Sequence, residues 1–165
     1  MELFLDFLFR WGHILFGITW IGLLYYFNFI QTEYFKEAEE MARKDAVAKL
    51  APRALWWFRW AAFVTILTGL VVAYLNGYLH ESMTLGIGSG GGKNTAIGIG
   101  MWLGIIMAYN VWFIIWPNQK IALGIIEASV EEKPIAAKKA MLTSRINTLL
   151  SFPMLLTMVA AQNLY

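Results

Sequence analysis

The chain predicts an all-α, integral-membrane four-helix bundle, and three observations carry that prediction. Hydrophobic residues fill 59% of its 165 positions and charged residues 15%, where a soluble domain carries about 25% charged. Mean hydropathy is +0.56. Four runs, at about 3–31, 54–78, 94–116 and 141–164, are apolar over the roughly 20 helical residues that a bilayer core demands. One small core has no room for so much apolar side chain, so the bulk must face lipid. The whole of 1–165 reads as a single four-span domain.

Composition also removes whole classes of function. A net charge of +2, from 13 Lys and Arg against 11 Asp and Glu, gives no basic excess for nucleic-acid binding. Cysteine is absent. Disulfides, thiolate metal sites, iron–sulfur clusters and covalently attached c-type haem are thereby excluded.

The first run opens with Glu2 and Asp6 instead of a basic n-region and is too long for a signal h-region, so it reads as a retained helix. From Tyr34 to Leu50 the chain is rich in Glu, Ala, Lys and Met without Gly or Pro. It predicts an amphipathic cytoplasmic extension of the first helix, ended by Pro52. The stretch from Gly77 to Gly92 contains Gly86, Gly88, Gly90, Gly91 and Gly92 and reads as a flexible outer hairpin or linker. A phosphate loop is excluded there, because the first Gly of G-x-x-x-x-G-K would fall at Ile87 and the Ser/Thr position is Asn94. In the third run Gly100, Gly104 and Ala108 make a small-residue seam, and Pro117 marks its inner end. The next loop, 121–140, is expected to form short amphipathic linking helices around Glu131-Glu132-Lys133 and Pro134. In the fourth run Asn147, Ser151, Met154, Met158 and Gln162 form an inward stripe facing helix one or two, with Ser151 a compensating donor near Pro153.

Every cation except Arg10 and Lys93 lies in or beside the first and third loops. Positive-inside counting therefore places both chain ends outside, an N-out/C-out topology. Trp56, Trp57, Trp60, Trp112 and Trp116 cluster toward the inner side and Trp11 and Tyr165 toward the outer, as an aromatic belt requires.

Chemistry-bearing residues are few. His13 lies within the first run, roughly 15 Å along its helix, and an ionisable group at that depth points to function. His13, Gly17, Trp20, Leu24 and Asn28 share one helical stripe, with the missing side chain of Gly17 one turn below the imidazole. A flat macrocycle would fit that notch; close helix packing is the other reading of the glycine. Every Asp and Glu lies in a loop or near a helix end, so triads and carboxylate pairs are not available at that depth. The expected cofactor is a b-type haem between helices with His13 as one axial ligand. Candidate second ligands are His80, if the outer loop folds inward, and Met101, Met154 or Met158. Arg10 and Lys93 are placed to pair with haem propionates or to snorkel to lipid phosphates.

Three segments together carry a family resemblance: Arg10-Trp11-Gly12-His13-Ile14-Leu15-Phe16-Gly17-Ile18-Thr19-Trp20-Ile21-Gly22, Trp116-Pro117-Asn118-Gln119-Lys120, and Ser144-Arg145-Ile146-Asn147-Thr148-Leu149-Leu150-Ser151-Phe152-Pro153-Met154. The chain resembles the membrane domain at the N-terminus of cytochrome-linked urate oxidases. More distantly, its first helix is similar to the copper-resistance D type and to the membrane-bound protoporphyrinogen oxidase type, where a first-helix His is associated with haem. The latter resemblance implies a second ligand that is often a Lys, for which Lys93 is the outer-side candidate. The longer urate oxidases carry a cytochrome c domain. With no Cys to attach a haem covalently, electrons here would pass to a separate cytochrome c.

The expectation is therefore a multi-pass protein of the bacterial inner membrane, a haem b electron-transfer subunit of a larger respiratory or photosynthetic complex and not a self-contained enzyme. Two other readings stand beside it: a cofactor-free structural accessory subunit that docks on partner subunits, and a membrane oxidase of urate or protoporphyrinogen type.

Overall fold

The computed structural model describes residues 1–88 and 90–165. These are all-α, with no strand among them: α1 (Glu2–Glu37), α2 (Glu40–Leu75), α3 (Leu79–Met83), α4 (Lys93–Ala122) and α5 (Glu132–Asn163). The four long helices alternate in direction. Near the chain termini α1 meets α2 where Asn76 donates to Asp6 at 2.6 Å, and further along His13 reaches the Thr65 carbonyl at 2.9 Å. α4 lies against α2, with Gly104 facing Ile66 and Trp112 packed on Trp60. α5 lies against α4 through Gly100 and Met158, and returns to α1 where Tyr25 pairs with Ser151 and Asn28 with Ser144. Trp20, Leu24, Phe58, Met107 and Val111 fill the middle.

α1, α2 and α4 are long and apolar enough to cross a membrane, with mean hydropathies of 1.4, 1.7 and 1.7 over their best windows. Ile18, Leu67, Phe113, Leu149 and Leu156 project outward from all four long helices, an apolar exterior that suits lipid. The fourth expected span, α5, is a helix of 32 residues but lacks the same apolarity. Its inner side carries buried Asn147, Thr148 and Ser151. Asn147 receives a bond from Asn110 at 2.8 Å and gives one to the Met107 carbonyl at 2.9 Å, clamping α5 to α4 instead of to helix one or two. Ser151 donates to the Thr148 carbonyl at 2.7 Å and so accepts from Tyr25 at 2.9 Å. Its proton goes to that carbonyl and not to the one that Pro153 leaves unbonded four residues back.

Three helix boundaries differ from expectation. α1 ends at Glu37, at an extended Ala38–Glu39 break, and Pro52 lies inside α2 instead of terminating a helix. Pro117 likewise lies inside α4, which continues to Ala122. Each proline closely follows a wider, π-type turn, at Ala46–Leu50 and Asn110–Ile115. In a regular helix a proline ring collides with the carbonyl four residues back and withholds a donor; a wide turn just before it shifts that register. Pro134 falls in the first turn of α5, where no backbone donor is needed.

The connection between α2 and α4 is not a free linker. It contains α3, whose Ser82 carbonyl sits so close to Gly98 that any Cβ there would overlap it. Trp102 Nε1 also bonds the Met83 carbonyl at 3.0 Å and the Thr95 hydroxyl the Leu85 carbonyl at 2.8 Å. Of that glycine-rich stretch, Ser89 lies outside the described residues.

Candidate functional site: an intramembrane histidine at an apolar cavity

α1 and α5 touch at Tyr25–Ser151 and Asn28–Ser144 and diverge toward the chain termini. Between them opens a cavity of about 820 Å³ with walls from all four long helices, a volume within the usual range of sites for cofactors and other small molecules. Its outer lip is made by Ile14, Ile18, Leu155 and Val159, on the lipid-facing side of the two helices.

His13 lies on the cavity wall, held by α2. Its Nδ1 is 2.9 Å from the Thr65 carbonyl oxygen. A carbonyl only accepts, so Nδ1 carries the proton and a neutral ring leaves the Nε2 lone pair free. That arrangement, a ring nitrogen tied to a backbone carbonyl and the other left open, orients an imidazole for metal ligation. Across the ring stands Gly69, where an added Cβ would come within 2.8 Å of Cε1 and 2.9 Å of Nδ1. The absence of a side chain there gives the imidazole its seat.

Gly17 answers the question its position raised. An added Cβ would meet nothing closer than Thr65 Cγ2 at 3.8 Å, so helix packing does not require glycine here. Instead Gly17 lines the cavity and widens it. Trp20 is fully buried at the wall, with Nε1 unpartnered. Met101, Met154 and Met158 complete the expected set on the opposite helices. Gly104 lies against Ile66, and Gly100 against Met158; one turn toward the termini, Met101 and Met158 therefore stand at the height of Gly69 and His13. Met154 lies a turn deeper.

Arg10 is also at the cavity, but its guanidinium is matched by Asp6 at 3.2 Å. Lys93 and His80 are exposed and do not line the cavity, so the loop between α2 and α4 does not bring His80 to His13. Among the described residues no group of three or more His, Asp or Glu side chains could hold a metal ion. The donor set at the cavity is one imidazole with thioethers across an apolar space, which fits a metal carried in its own macrocycle better than a bare ion.

Thr65, Gly69 and Tyr78 line the cavity without having been singled out. For the first two the available signal was a Thr and a Gly four residues apart in an otherwise apolar run, which places them on one helix face.

Residues 89–164 match the urate oxidase N-terminal family. The resemblance read from the sequence is shown over that stretch. It covers α4 and α5, the walls bearing Met101, Met154 and Met158, and begins after the helix that carries His13. No curated protein and no solved structure matches the chain significantly.

Proposed function

We propose that the cavity holds a b-type haem, which His13 Nε2 would ligate, and that the chain is an electron-transfer subunit of a larger membrane complex. The observation that carries this is the tautomer: the Thr65 carbonyl keeps the proton on Nδ1, and Nε2 stands free at an apolar cavity. A haem bound there supplies one-electron chemistry. His13 holds it, Gly69 keeps the ring in place, and Gly17 leaves room for a flat group. Met101 and Met158, level with His13, are the candidates for the second ligand. In this reading α5 is the fourth span, its polar residues turned inward. The cation-rich loop end faces the cytoplasm, giving an N-out/C-out four-helix bundle in the bacterial inner membrane. A separate cytochrome c or a partner subunit exchanges the electrons.

The test is the absorption spectrum of the detergent-solubilised protein expressed with haem supply. A Soret band that His13→Ala abolishes is expected. A colourless protein with full helix content overturns the haem reading and leaves an accessory subunit.

The family match favours a second reading, an oxidase that hands electrons to a separate cytochrome. Urate presents polar edges all round, and a mostly apolar wall leaves those edges without partners. A large, mainly apolar macrocycle such as a porphyrinogen suits the cavity better. Turnover assays with urate and with protoporphyrinogen, each with added cytochrome c or quinone, distinguish the two substrates.

A further inference from the structure

At the loop end, away from the cavity, α2 and α4 form a cationic cluster with no acceptor among the described residues. Arg59 stacks on Trp116, its guanidinium carbon 4.0 Å from the ring centroid, and lies 5.3 Å from Trp112 and 5.9 Å from Trp60. Lys120 approaches the same Trp116 at 5.8 Å. Stacking on indole faces immobilises a guanidinium and leaves its in-plane donors to be satisfied. None is satisfied by a described residue. Arg59 Nε and Trp112 Nε1 are both buried without a partner, and the ion pairs among the described residues are Arg10–Asp6, Lys36–Glu33, Lys44–Glu40 and Lys49–Asp45. Two orphaned donors beside a fixed positive charge, with no carboxylate paired to it, call for an oxyanion from outside the chain.

We propose that Arg59 is the anchor of a phospholipid site, binding the phosphate of an anionic headgroup where α2 and α4 meet. The source of the phosphate follows from the surroundings. Trp56 meets Trp57 edge-on and Trp60 at a tilt, and all three are turned outward, as indoles are at headgroup depth. Alongside is a shallow cavity of about 360 Å³ lined by Pro52, Arg53, Trp56 and Trp57, which gives the rest of a headgroup a place and a second cation. A basic pocket between spanning helices, rimmed by tryptophan, is the chemistry that selects anionic lipids. The site is independent of the haem reading, and a colourless protein leaves it intact.

The test uses the full chain purified in neutral detergent and reads bound phospholipid by native mass spectrometry and by quenching of tryptophan fluorescence with brominated lipids. Brominated phosphatidylglycerol is expected to quench more strongly than brominated phosphatidylcholine, with retained phosphatidylglycerol falling at least fivefold in Arg59→Gln. Arg59→Lys, which keeps the charge and loses the planar fork, should give an intermediate loss. Trp112→Phe, which keeps the ring and removes only the N–H donor, guards against a folding defect and should lose two- to threefold. Equal lipid retention by wild type, Arg59→Gln and Trp112→Phe overturns the site. Thermal stabilisation by inorganic phosphate alone, with no lipid retained, overturns the lipid as its source, and so does a protein partner that occupies Arg59 in lipid's place.

Discussion

The protonation of His13 is set by an atom that side-chain substitution cannot remove. The Thr65 carbonyl belongs to the backbone of α2, so Thr65→Val keeps the acceptor and should leave any pigment unchanged. Gly69→Ala acts differently. Its Cβ would press on Cε1 and Nδ1 of the ring, and the ring can move away only by giving up the 2.9 Å bond. Haem retention is expected to fall about tenfold, the cost typical of a lost orienting contact to a metal ligand, with the circular dichroism of the helices unchanged. Soret absorbance per polypeptide measures it, and an unaltered band in Gly69→Ala would sink the seat assigned to this glycine. His13 itself stood out because an ionisable side chain in an apolar run is costly and therefore conspicuous. Gly69 did not. A glycine in a spanning helix looks the same whether it faces a ring, like Gly69, or nothing within 4 Å, like Gly22.

Helix existence followed from apolar runs, while helix ends depended on local backbone chemistry that those runs do not report. Pro52 and Pro117 read as stops, yet the π-type turns ahead of them carry both helices onward. The real start of α5 is held by a reciprocal pair. The Ser129 N–H donates to Glu132 Oε2 at 2.8 Å and the Glu132 N–H donates to the Ser129 hydroxyl at 3.2 Å, an arrangement of the capping-box type. Ser129-Val130-Glu131-Glu132 carries that S-x-x-E spacing, partly hidden within the charged run Glu131-Glu132-Lys133. The bonds from Ser129 hold the Glu132 carboxyl below the ordinary glutamate range. A carboxylate with a lowered folded pKa stabilises above its unfolded pKa, and that contribution disappears as pH falls through the folded value. Fraying of the first turn of α5 should therefore begin only below the ordinary glutamate range. Amide hydrogen exchange over 130–136, followed from neutral pH to about pH 3, checks it. Glu132→Gln retains an acceptor and should flatten the profile; an unchanged pH profile in that variant would remove Glu132 as the titrating group.

The cavity belongs to no single helix, and for that reason the sequence pointed to its members without its shape. His13 and Gly17 were found on one stripe, and Met101, Met154 and Met158 by depth counting, but the divergence of α1 from α5 depends on where polar pairs tie helices together. Tyr25–Ser151 and Asn28–Ser144 fasten these two helices near the loop end. Toward the termini the stronger ties are instead α1 to α2, through Asp6–Asn76, and α4 to α5, through Gly100 and Met158. The open side follows from that division. Filling the space should then abolish binding without disturbing the helices. Gly17→Leu is the sharpest such change, because a Cβ at 17 has no neighbour nearer than 3.8 Å and the added branches extend into the cavity. Without a clash to absorb, its thermal stability in detergent should equal or exceed that of the wild type, since the new side chain covers apolar wall. The same variant should be colourless and should not regain a Soret band on titration with haemin. A stable Gly17→Leu protein that still binds haem through His13 would place the macrocycle outside this cavity, against the lipid-facing side of α1.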